Sequence, residues 1–174
     1  MKKATTSNVT PSNSILSMRI IKIASCSTCS GKANLTYHFG CTQDNQVYIR
    51  IVVNSGGGFF SEEWVPLNAT LAALENAPHP ITAYPFTNLF IGKSVNTPGF
   101  LLAVLKHEGL VKLLEGKVRG YEKLDSATFM AEVNKLVASD TDLKPEPVTR
   151  IKKSATTVQP KKAKKALTPK STQM

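Results

Sequence analysis

The chain has 174 residues, 41% of them apolar, and a formal net charge of +10, which suits one domain, or a domain and a small appendage, with an adequate core. Its apolar runs fall short of the roughly 18 residues of a membrane span, and MKKATTSNVTPSNSILSM follows its lysines with polar residues rather than the apolar stretch of a secretory signal. Three cysteines fit a reducing compartment better than a disulfide framework, so the expectation is a soluble intracellular protein without a membrane partner.

In chain order, residues 1–13 are polar, aperiodic and contain Pro11, which predicts a flexible arm. Residues 14–140 read as a single α+β domain. Its first half is an antiparallel β-meander of about four strands with a short helix; its second half is helix, β-hairpin, helix. SILSMRIIKIAS mixes β-branched and polar residues. KANLTYHFG places Leu35, Tyr37 and Phe39 on one face and Asn34, Thr36 and His38 on the other. QVYIRIVVN is apolar except where Arg50 breaks the run. CTQDNQ between the last two is turn chemistry, because Asp and Asn bond their own backbone.

The same region holds C-x2-C-x8-H-x2-C, formed by Cys26, Cys29, His38 and Cys41. Three thiolates and an imidazole are a legitimate tetrahedral zinc set, although the spacing departs from the nucleic-acid zinc knuckle. The plainer alternative is two small semi-buried cysteines at a strand end and an exposed strand histidine. No helix or βαβ pattern follows the cysteine pair, which disfavours a thioredoxin-like role.

NSGGGFFSEEW sets a glycine turn before Phe59, Phe60 and Trp64. With Arg50, Phe59 and Phe60 form a candidate stacking platform for unpaired bases; the alternative is ordinary core plus a hairpin turn. FFSEEWVPL reads as the fourth strand, with Pro66 against a helix. Asn68 is placed to cap ATLAALENA, which Pro78 and Pro80 close. IGKS at 91–94 ends like a phosphate-binding loop, yet Thr87 stands where that loop requires glycine.

Thr97 and Pro98 open the next helix and Gly109 closes it, with Phe100, Leu101, Val104 and Leu105 as its apolar stripe. LVKLLEGKVRGYEKL predicts a hairpin turning at Glu115-Gly116. On its second strand, Lys117, Arg119, Tyr121 and Lys123 alternate onto one face. Helix and hairpin together resemble half of a winged-helix DNA reader, without the preceding helix pair. A solvated face balanced by Glu115 and Glu122 explains the row equally well. Asp125 caps a final helix carrying Phe129, Met130, Val133, Leu136 and Val137 at helical spacing.

Residues 141–174 form a lysine-rich tail predicted to be disordered. From residue 149 onward it carries Arg150, Lys152, Lys153, Lys161, Lys162, Lys164, Lys165 and Lys170 and no acid, whereas residues 4–148 hold twelve basic and twelve acidic side chains. KKSATTVQPKKAKKALTPKSTQM resembles, in composition, the tails of linker histones and similar DNA-compacting proteins, which implies phosphate binding without sequence readout. Counterion release from a polyanion gives the same expectation on physical grounds. His38, His79 and His107 show no nucleophile–base spacing, and Glu62 and Glu63 are adjacent and so cannot act as a pair from a strand. The expected function is therefore non-enzymatic: a nucleic-acid-binding accessory protein, of DNA more than RNA, in the cytoplasm or nucleoid (the nucleus in a eukaryote). The alternatives are a protein-interaction or scaffold protein with a solubilising tail, and a small zinc-stabilised regulator; no other cofactor is expected.

Overall fold

A computed structural model describes residues 18–92 and 94–144. The β-branched and aromatic runs of the first half form β1 (Arg19–Ser27), β2 (Asn34–Cys41) and β3 (Val47–Asn54), and β4 (Val65–Pro66) completes an antiparallel sheet in the order β1-β2-β3-β4. The α+β meander expected from the sequence is present, with one strand far shorter than FFSEEWVPL suggested. Pro66 brings no N–H to a ladder, and the preceding residues bond elsewhere. Ser61 N–H donates to the Thr97 hydroxyl at 2.8 Å, while the Glu63 carboxylate accepts from the Ile91 and Gly92 N–H groups at 2.9 and 2.8 Å.

After the sheet come α1 (Leu67–Glu75), a 3-10 turn (Tyr84–Leu89), α2 (Thr97–His107), a hairpin of β5 (Val111–Leu113) and β6 (Tyr121–Lys123), and α3 (Ala127–Ala138). Two expected caps do other work. Asn68 lies inside α1, and the Thr97 hydroxyl is a buried anchor for Ser61. Gly109, at φ +75°, ends α2 in the left-handed conformation that glycine adopts most cheaply, with Leu110 buried behind it. Leu101 through Leu105 are all buried, so α2 is enclosed on most sides rather than along a stripe.

The core lies between one face of the sheet and the helices. Leu35, Tyr37, Phe39 and Cys41 alternate along β2 and are each at most 1% exposed. Phe39 meets Tyr37 and, from α3, Phe129, with ring centroids 5.9 and 6.0 Å away. A polar chain is built into this wall. The Tyr37 hydroxyl donates to Glu108 and lies 2.8 Å from His107 Nδ1, and Glu108 pairs with Lys22 at 2.7 Å. With its one proton committed to Glu108, the hydroxyl is an acceptor for Nδ1–H. Burial first, and then Glu108, raise the Tyr37 pKa well above the ordinary phenol range.

The free edge of β1 is covered at its start by the chain that leaves α3. Ile20 N–H donates to Asp142 at 3.0 Å, Leu143 N–H donates to Ile20 C=O at 2.8 Å, and Arg19 donates to the carbonyls of Val137, Ser139 and Thr141. Such cover shortens the edge that would otherwise pair with another chain. Among the described residues no helix is long and apolar enough to cross a membrane.

Candidate nucleic-acid interface

Residues directly opposite one another in antiparallel strands point to the same side. Register therefore assembles the outer face of the sheet from rows: Ile23, His38 and Arg50 in one, Ile20, Gly40 and Tyr48 in the next. Gly40 sets the geometry. A Cβ there would lie 2.1 Å from Met18 Sδ and 2.9 Å from the Trp64 ring, so only glycine lets both side chains lie against the strand. Trp64, fixed this way, receives the Arg50 guanidinium, whose carbon sits 5.6 Å from the ring centroid.

Arg50 Nη2 is 3.1 Å from Glu62 Oε2. Its Nε–H is buried and has no acceptor among the described residues. His38, beside it in the row, is 6% exposed. Burial, and secondarily the Arg50 charge, hold its pKa below the ordinary imidazole value. Glu63 binds the Ile91 and Gly92 N–H groups rather than Arg50. Burial alone would raise its pKa, but hydrogen bonds from Ile91, Ser61 and Gly92 outweigh that and hold it low.

The platform expected from Arg50, Phe59 and Phe60 does not form as such. Phe60 packs into the core with its ring 6.3 Å from Phe100. Phe59 is 88% exposed on the glycine loop, and its carbonyl is held by Ser94 and Asn96 at 3.0 and 3.1 Å. The aromatic partner of Arg50 is Trp64.

The cationic row on the second hairpin strand is also corrected. The chain turns at Glu115-Gly116 as expected, but β6 begins only at Tyr121, so Lys117 and Arg119 stand in the exposed loop 114–120, where strand alternation does not apply. Tyr121 is 4% exposed, exchanges backbone hydrogen bonds with Ile81 and belongs to the core. Lys123 is bound to Glu75 at 2.6 Å.

The zinc set is dispersed by the register that builds the sheet. Cys26 pairs with Leu35, six positions from Cys41 on β2, which at a strand rise of roughly 3.3 Å per residue is about 20 Å. His38 also points to the opposite face from Cys41. Among the described residues no group of three or more His, Cys, Asp or Glu side chains is placed to hold a metal ion. Cys26 is a buried thiol, its pKa raised to about 11 by burial and then by Cys29 and Glu108.

Arg150, Lys152, Lys153, Lys161, Lys162, Lys164, Lys165 and Lys170 lie outside the described residues. Sequence reasoning passed over Gly40 and Tyr48, weighed Glu62 only as one of two adjacent acids, and set Trp64 among the aromatics beyond the glycine turn. A glycine inside a strand already marks a close approach, and period-two spacing puts His38 with Gly40 and Tyr48 with Arg50. Glu62 had no such signal, because its segment has no regular structure. Comparison of the chain with models of protein families, with curated proteins and with solved structures finds no match.

Proposed function

We propose that this is a non-enzymatic nucleic-acid-binding accessory protein, in which the tail supplies charge-driven affinity for phosphate and the folded body supplies selectivity or a partner contact. One observation carries the reading: residues 149–174 hold eight cations and no acid, while residues 4–148 are balanced at twelve and twelve. The body supports it by using much of its own charge internally. Lys22, Arg50, Lys112 and Lys123 are in ion pairs, and Arg19 is committed to backbone carbonyls. Phosphate affinity then falls mainly to the tail, with Lys117 and Arg119 on their exposed loop as secondary contacts. Joining the two parts makes two weak contacts act together, since covalent linkage holds the second at roughly millimolar effective concentration.

The test is a salt titration of oligonucleotide binding with the full chain and with residues 149–174 deleted. Eight phosphate contacts predict a log–log slope of about −6 to −7, lost on deletion. A truncated body that binds as tightly as the full chain sinks the reading. A specific observation favours a protein partner as the second reading. Phe59, Ile91 and Val95 are 88, 96 and 91% exposed on two loops cross-braced through Glu63, Ser94 and Asn96, and clustered exposed apolar groups mark interaction sites. Binding through that surface would respond far less to salt.

A further inference from the structure

We propose that the outer face of the sheet carries a site for single-stranded nucleic acid, in which Arg50 binds a backbone phosphate, Trp64 and Tyr48 receive unpaired bases, and Glu62 is the internal occupant that the phosphate displaces. The site rests on the nucleic-acid reading above and locates it on the folded body.

The guanidinium is a planar fork suited to two oxygens of one oxyanion, through Nε and Nη2 together. The observed pairing uses Nη2, at 3.1 Å from Glu62, and leaves the buried Nε–H without an acceptor among the described residues. Buried donors are rarely left unmade, and each exception calls for a cause. A phosphate, with oxygens to spare, satisfies both edges of the fork where the carboxylate satisfies one. The exchange is accessible because both side chains reach the surface, Arg50 at 33% and Glu62 at 35% exposure. Glu62 belongs to the irregular segment before β4. Arg50 itself stays in place, stacked on an indole that Gly40 seats against the sheet.

The surroundings favour an anion once Glu62 leaves. The rows beside Arg50 hold Ile23, His38, Ile20 and Tyr48 and no acid, and Glu63 is turned onto the Ile91 and Gly92 amides. Trp64 and Tyr48 are half-buried, so each retains surface for a base. Stacking needs an open base face, which a single strand offers and a duplex conceals between its pairs.

Trp64 is the only tryptophan in the chain, so its fluorescence reports on this site while the tail stays silent. The experiment titrates the full-length protein with single-stranded oligothymidylate and, separately, with a duplex of the same length. Anisotropy of a labelled strand records total binding. The expected result is a saturable change in Trp64 emission at the anisotropy midpoint for the single strand and none for the duplex. Glu62→Gln tightens single-strand binding about threefold or more, because the competing carboxylate charge is gone. Arg50→Lys keeps the charge without the fork and loses most of the emission change, with tail-driven binding retained. Binding by anisotropy with unchanged Trp64 emission, or Glu62→Gln that fails to tighten it, overturns this site and leaves the tail reading standing. No binding by anisotropy in dilute salt overturns both.

Discussion

The two faces of the four-stranded sheet are made by the same strands and differ in what holds them. On the inner face, Leu35, Phe39, Ile49 and Ile51 meet the helices and are at most 4% exposed. On the outer face, His38, Gly40, Tyr48 and Arg50 carry no helix among the described residues; Met18 and Trp64 lie there instead. Most of the stability therefore comes from one side. The other side keeps a guanidinium with an unmatched donor and aromatic rings with open surface, at a smaller cost to folding than the same groups would impose inside.

The largest effect tests that division directly. Phe39→Ala removes a ring that touches Tyr37 and Phe129 and costs about 3–5 kcal/mol of folding free energy. On the outer face, Ile23→Ala, at a position 38% exposed, costs about 1 kcal/mol or less. Urea unfolding of both variants measures the difference. Comparable losses would mean that both faces support the fold equally, and the comparison would fail.

Gly40→Ala is the next largest. The added methyl meets Met18 at 2.1 Å and the Trp64 ring at 2.9 Å. Met18 is flexible and moves aside, whereas Trp64 has to lift from the strand and loosen its stack with Arg50. Overpacking of this kind costs about 1–3 kcal/mol, less than the cavity left by Phe39→Ala because only side-chain ends are displaced. A red-shifted Trp64 emission should accompany the loss. Unchanged emission and unchanged stability together would show that Gly40 does not seat the indole.

Much of this architecture was legible in the chain because it follows from local rules. Alternation in NLTYHFGC gives the inner face of β2, and Pro98 with Gly109 brackets α2. What stayed hidden depends on register between distant strands and on loops without periodicity. Cys26 and Cys41 look like one ligand set until pairing with Leu35 and Arg19 separates them along the hairpin. Tyr121 looks like part of an exposed row until its exchange with Ile81 draws it inward. Tyr37 and His107 are 70 positions apart, and nothing in either segment announces the other. The outer-face site has the same origin: Arg50 and Glu62 are visible as residues, but their geometry depends on where the strand ends and how residues 59–64 find partners on the opposite loop.

The smallest predicted effect concerns His38, whose imidazole lies under the outer face beside Arg50. Burial and the neighbouring guanidinium depress its folded-state pKa, while in the unfolded chain the ring protonates near its ordinary value of about 6.5. The folded state thus binds fewer protons than the unfolded state in the window between these two values. Stability from this residue is fully present above the unfolded value and declines as pH falls from there towards the folded pKa. His38→Gln removes the titrating group and keeps a polar side chain of similar reach. The variant should lose less stability than the parent between about pH 7.5 and about pH 5.5, measured as the shift in urea midpoint at each pH. Carboxylates elsewhere contribute equally to both proteins and cancel in the difference. If the two midpoints fall in parallel, His38 takes up its proton as readily folded as unfolded, and the outer face is more open to water than the burial of this ring implies.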